Sequence, residues 1–337
     1  MICILSTSEA DPSTEDVIEW LNAWNVPWVR LNAQSLSGED PITVSMSNTT
    51  CETSIHSGNN IIDCKEIGVV WYRRWSAGRG RWQYSLFAED LEAAKRANVF
   101  GLARHLDNEV EVLSGVLFQS FSSARWFSHP DFARPNKLNA LNMAASCGLD
   151  IPATLVTTDR GRMCQFIRAR RRVITKPLSD LFTYDWHDGP YASYTTEVTE
   201  SDVAVLPSFG FPMLLQELLA KSYDIRLFYL DRVFYGMAIF SQSRNQTSVD
   251  FRRYTYERPV RTVPYKVPGE LATGLQRLMD ALHLETGSLD LVKTIDGRLV
   301  FLEVNPVGQF GMVSIPCNYH LERNIAAALT TRLGNRQ

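Results

Sequence analysis

The sequence predicts a mixed α/β (α+β) protein built as three domains. Three observations carry that reading: a β-α-β opening, a middle third in which strands and helices alternate, and a C-terminal hairpin with acidic groups on one face. At 337 residues the chain is too long for one simple core. A composition shift over 122–136 ends an N-terminal α/β domain at 1–125, and the last third opens at the apolar strand from Pro212, which gives a central domain at 126–213 and a C-terminal domain at 214–337. Hydrophobic content of 45% and charged content of 21% are those of a soluble globular protein, and a net charge of -3 gives no general case for nucleic acid or an anionic membrane. Six scattered cysteines without a CxxC pair or zinc spacing read as reduced packing residues, which points to a cytoplasmic protein. No signal peptide opens the chain, and no apolar stretch approaches the roughly 20 residues of a membrane span.

The elements follow in order. Residues 2–5 form an apolar strand, a helix runs from Thr14 through Trp24, and 26–31 form a second strand. The stretch 32–60 is polar and weakly periodic, at most a hairpin with loops. Residues 67–75 read as a strand with an Arg-aromatic end, in which Trp71, Arg73 and Trp75 share a face. That face suits either an acidic peptide or stacking and salt bridges. Residues 89–106 form an amphipathic helix, and Val112 to Gly115 with the apolar residues after them close the first α/β unit. After a loop-like 122–136, Lys137 opens a helix that ends at Cys147-Gly148. Residues 151–157 form a strand, and Asp159 caps a helix ending in Arg168, Arg170, Arg171 and Arg172, where positive charge suits the helix dipole as well as it suits a bound anion. A strand at 173–178 carries Lys176. Residues 184–198 read as strands or a lid, and 212–219 as an apolar strand. A hairpin turns at Asp231-Arg232, Asp250 to Tyr254 continues the β-rich pattern, and helices occupy 271–284 and 321–333.

The hairpin from Gly287 carries the chemistry. Asp296-Gly297 favours a two-residue type I′ turn, which makes Ile295 face Arg298 and, further out, sets Asp290 opposite Glu303. Cross-strand neighbours are about 5 Å apart, so two carboxylates there repel. Asn305 shares the face of Glu303, and a hard divalent cation resolves the conflict.

Several features in order now resemble a known superfamily. They are Asn136-Lys137-Leu138, Thr175-Lys176-Pro177, Gln216-Glu217-Leu218-Leu219, Asp224-Ile225-Arg226, Asp290, and Glu303-Val304-Asn305-Pro306. The pattern is similar to the ATP-grasp carboxylate ligases. Val70 to Trp75 and Asn305 to Phe310 resemble one branch more closely, the maturases of ribosomally made peptides: microviridin-type (graspetide) ligases and the grasp-with-spasm group. The resemblance implies a pre-ATP-grasp N-terminal domain, followed by central and C-terminal domains that clasp ATP.

It implies roles as well. Lys137 and Lys176 match the two lysines on the ATP phosphates, where point charges neutralise a transferring phosphoryl group. Gln216, Glu217, Leu218 and Leu219 match the hinge beside adenine, and Asp224 lies where the ribose would be met. Arg226 and Arg252 match arginines near the γ-phosphate and acyl-phosphate, where a planar bidentate donor fits. Asp290, Glu303 and Asn305 match the ligands of Mg²⁺, with two ions implied. The sequence departs from many relatives in 179–189, which is aromatic and nearly glycine-free where a glycine-rich loop often covers the phosphates. None of the six histidines sits in a nucleophile or metal pattern.

The activity implied is ATP-dependent activation of an Asp or Glu side chain of a precursor peptide, with closure to an ω-ester or ω-amide. The partner is the peptide, leader and core, with 181–198 as a candidate leader surface; a homodimer is compatible with it. Two other readings stay open: a glutamate-ligase or glutathione-synthetase-like enzyme acting on a free amino acid or protein tail, and a non-catalytic nucleotide-binding module.

Overall fold

The structure, a computed structural model, describes residues 1–7, 11–33, 42–57, 60–75, 99–170, 172–179, 183–186, 189–241 and 260–334. It divides into two compact units. The first comprises Met1–Ala133, Gln309–Gly311 and His320–Gln337, and the second Arg134–Gly308 and Met312–Tyr319. Among the described residues no helix is long and apolar enough to cross a membrane.

The first unit opens with β1 (Ile2–Ser6), α1 (Pro12–Ala23) and β2 (Trp28–Asn32), the two strands pairing in parallel as the β-α-β pattern requires. Every residue of β1 is buried, because it lies inside the sheet, and that explains its unbroken apolar run. The polar stretch after it holds three antiparallel strands, β3 (Ile42–Met46), β4 (Cys51–Ser57) and β5 (Asn60–Asp63), one more than a hairpin supplies. β6 (Val69–Tyr72) then pairs in parallel with β1.

Residues 112–118 correct the sequence reading. They do not close the unit as a separate element but belong to a helix, α2 (Val99–Ser120); the residues before 99 lie outside the described ones. The closing strand is β7 (Arg125–Phe127), inside the stretch read as a loop, and the sheet order is β2-β1-β6-β7. Trp71, Tyr72, Arg73 and Trp75 are all buried in this unit. Arg73 Nε lies 3.5 Å from Asp11 Oδ2 and its guanidinium sits over the Phe310 ring. Burial pulls Arg73 down to about 10, with Asp11 opposing the shift. This strand end is therefore an interior ion pair and stack.

The second unit begins with α3 (Lys137–Ser146), whose first turn is capped by Asn136 Oδ1 accepting from the Leu138 and Asn139 N–H groups. β8 (Thr154–Asp159), α4 (Arg160–Ala169) and β9 (Val173–Lys176) follow, with Asp159 capping α4 as its position predicts. At the end of α4, Arg168 pairs with Glu200 and Arg172 with Glu197, while Arg171 lies outside the described residues. Next come β10 (Thr183–Trp186) and β11 (Gly189–Ala192), an isolated antiparallel pair, then β12 (Thr196–Val198), α5 (Glu200–Ala204) and β13 (Phe209–Glu217). The resulting sheet runs β12-β9-β13-β8.

β14 (Lys221–Leu230) and β15 (Val233–Ile239) form the expected hairpin. Its two-residue turn puts Asp231 and Arg232 at φ 46° and 68°, the left-handed pair of a type I′ turn, without a glycine. β16 (Thr262–Tyr265), α6 (Gly269–Ala281), β17 (Thr286–Thr294) and β18 (Leu299–Asn305) complete a five-stranded sheet, β16-β15-β14-β17-β18. One face packs Ile225, Leu227, Leu289, Leu291 and Phe301 against Leu141 and Ala144 of α3 and Leu275, Leu278 and Met279 of α6. The chain ends with α7 (Gly311–Cys317) and α8 (Leu321–Gly334), the latter packed on α1 within the first unit.

Candidate active site

Because strand side chains alternate, burying Ile225, Leu227, Leu289 and Leu291 on the helix side turns Asp224, Arg226, Ser288 and Asp290 to the other face of the same sheet. β18 adds Glu303 and Asn305. Asp290 lies opposite Glu303 and Ser288 opposite Asn305.

That register arises by a route different from the expected one. The turn is not a two-residue Asp-Gly loop. Gly297 N–H donates to Thr294 O at 3.1 Å, Thr294 N–H to Arg298 O at 3.0 Å, and Gly297 adopts φ 91°. Three residues, Ile295 to Gly297, thus form the loop, with glycine in the left-handed position. The pairing runs one residue out of the expected step as far as Phe301 opposite Leu291, and an irregularity before Asp290 restores it. Leu302 is the extra residue of that bulge, and both Leu302 and Glu303 line the cavity.

The expected repulsion between the acids is relieved within the protein. Arg226, opposite Asp290 in β14, donates through Nη1 to Asp290 Oδ1 at 2.9 Å and Oδ2 at 2.8 Å, with both side chains nearly buried. Among the described residues, Arg226 Nε and Ser288 Oγ are buried without a hydrogen-bond partner on this face. Asn305 Oδ1 accepts from Val307 N–H at 3.2 Å, and Gly308 N–H donates to Asn305 O at 3.1 Å, so a tight turn fixes the amide. This donor set fits Mg²⁺, which takes one or two carboxylates and draws its other ligands from phosphate and water. Among the described residues there is no group of three or more His, Cys, Asp or Glu that would cage a metal without such help.

Asp290, Glu303 and Leu302 line a cavity of about 790 Å³ of empty space, its open mouth included. Lys176 lines it from β9, Gln216 to Leu219 border it from the end of β13, and Asp224 and Lys221 line it from β14. The residues at the end of β13 are braced: Gln216 Nε2 donates to Thr154 Oγ1 at 2.9 Å, Glu217 Oε2 accepts from Ala153 N–H at 3.4 Å, and Leu218 N–H donates to Arg172 O at 3.0 Å. Lys137 is not among the lining residues; its Nζ donates to Ser179 O at 2.7 Å, tying it to the segment just past Lys176. Arg252 lies outside the described residues. Lys221 was not legible in the sequence, because nothing in Ala220-Lys221-Ser222 marks it off from a surface lysine.

No protein-family model and no curated protein matches the chain. Solved structures do. The macrocyclase MdnC of Microcystis aeruginosa, bound with precursor peptide MdnA, superposes with a TM-score of 0.81 at 24% identity, covering 98% of this chain and 99% of MdnC. An ATP-grasp ligase associated with ribosomal peptides from Chryseobacterium gregarium, in complex with ADP and a leader and core peptide, gives 0.81 at 21% identity, covering 98% of this chain and 96% of that one. The ATP-grasp ligase PsnB, complexed with a phosphomimetic variant of its minimal precursor, Mg and ADP, gives 0.73 at 17% identity, covering 98% of each chain. This chain has the ATP-grasp fold. The cavity lies within one unit, lined by the end of β13 and by the acidic residues of β17 and β18.

Proposed function

We propose that the chain is an ATP-dependent ligase that activates Asp or Glu side-chain carboxylates of a ribosomally made precursor peptide and joins them to Ser or Thr hydroxyls or Lys amines. The observation that carries it is a single cavity lined together by Gln216 to Leu219, Lys176, and Asp290 facing Glu303. The likeness to MdnC and the Chryseobacterium ligase, both described with peptides, supports the peptide as substrate.

In this reading Gln216 to Leu219 border adenine, Asp224 lies near the ribose, and Lys137 and Lys176 neutralise the phosphates. Asp290, Glu303 and Asn305 hold two Mg²⁺ ions, which supply charge screening to the triphosphate. Arg226 and Arg252 face the migrating phosphoryl group and the substrate carboxylate. A carboxylate oxygen attacks the γ-phosphorus and ADP departs. The hydroxyl oxygen or amine nitrogen then attacks the acyl carbon, the C–O bond to phosphate breaks, and the nucleophile's proton leaves with inorganic phosphate. The protein supplies position and charge, not a covalent nucleophile.

The test is incubation with ATP, Mg²⁺ and a precursor peptide encoded beside its gene, followed by mass spectrometry. Ring closure removes one water per bond and releases ADP; a mass gain instead identifies a ligase that adds free amino acids. Glu303→Gln is expected to abolish product with an unchanged circular-dichroism spectrum. Wild-type turnover in that variant would contradict the metal assignment.

A further inference from the structure

We infer that Lys221 is a nucleotide-binding residue that donates to the ribose hydroxyls, with Asp224 as the group that holds it there. The inference rests on the reading of the cavity as an ATP site. Strand alternation alone would put Lys221, three residues before Asp224, on the opposite face of β14. It is not on that face. The pairing of β14 with β17 slips between Lys221 and Tyr223, and this irregularity turns Lys221 to the cavity side, where its Nζ lies 2.7 Å from Asp224 Oδ1. Bulges beside active sites commonly re-aim a side chain in this way.

The bonding of Asp224 favours the lysine as the group that meets a ligand. Asp224 is 4% exposed; Oδ1 accepts from Lys221, and Oδ2 accepts from the hydroxyl of Ser241, itself fully buried. A carboxylate engaged at both oxygens is a poor first contact for a diol. An ammonium has three donors, and the structure assigns one of them to Asp224. Position agrees with this. Along β14 the order from the hinge is Lys221, Asp224, then Arg226 on Asp290, and Asp224 precedes Arg226 by two residues, about 7 Å of strand. Base, sugar and metal-bound phosphate follow one another in the same order, so the pair falls at the sugar.

Calorimetric titration of the full chain with Mg²⁺ and ADP, 2′-deoxy-ADP or 3′-deoxy-ADP tests this. The wild type is expected to bind at least one deoxynucleotide about tenfold more weakly than ADP, the range of a charge-assisted hydrogen bond. Lys221→Met should bind ADP and that deoxynucleotide equally. Retained discrimination in Lys221→Met, or its loss in Asp224→Asn while Lys221→Met keeps it, would overturn the inference. If Lys221→Met does not fold because Asp224 is left as a lone buried charge, Lys221→Met/Asp224→Asn replaces it, and discrimination in that double variant overturns the inference equally. Failure of the wild type to bind ADP at all would instead overturn the ATP-site reading.

Discussion

Gly308 shows how closely the residues behind the acidic cluster fit. A Cβ added there would lie 2.3 Å from Ser288 Oγ and 2.5 Å from Ser288 Cβ, and rotating the hydroxyl relieves only the first of these contacts. Gly308→Ala is therefore expected to destabilise the protein by about 1–3 kcal/mol in urea unfolding, the usual range for overpacking. Adding Ser288→Gly should restore most of that loss, because it removes both obstructing atoms; equal destabilisation in the single and double variants would contradict the packing. The same turn presents Asn305, so small residues at 287, 288 and 308 serve the amide's placement. At this scale the sequence was informative where a residue type had one strong reason to be present. Asp159 caps its helix as its position suggests, and Asp290 faces Glu303. It was silent where a side chain's direction depends on a bulge, as with Lys221 and Leu302.

The β17–β18 hairpin makes the same point for elements. The sequence reading reached the correct pairing of Asp290 with Glu303 through a wrong turn, because two single-residue departures cancel: a three-residue loop at one end and the bulge at Leu302 further along. Deleting Leu302 should thus leave Asp290 opposite Glu303, while removing an apolar wall of the cavity. ADP affinity is expected to fall about tenfold, the value of one buried aliphatic side chain, with the Mg²⁺ dependence of binding unchanged. Loss of the Mg²⁺ dependence would show that the bulge itself aligns the acids. Residues 112–118 were misplaced for a different reason. A short apolar run fits a buried strand and a buried helix alike, and here the run continues a helix that begins at Val99. β7 has three residues and takes its place by parallel pairing to β6, a long-range fact with no local signature.

On the scale of the whole molecule, the order of elements was more legible than their grouping. Alternating strands and helices, and the ordered lysines, Gln216-Glu217 segment and acids, are local signals, and they point to the ATP-grasp fold. The compact units are not contiguous in sequence: Gln309–Gly311 and the C-terminal helix belong with the first 133 residues, a return that no composition shift announces. In the proposed reaction ATP activates a peptide carboxylate as an acyl-phosphate. The most direct test is to label the Asp and Glu side chains of the precursor with ¹⁸O, run the reaction with ATP and Mg²⁺, and analyse the inorganic phosphate by mass spectrometry. One ¹⁸O per bond formed, carried into phosphate alongside ADP, is the predicted result; unlabelled phosphate, or AMP and pyrophosphate as products, would contradict it.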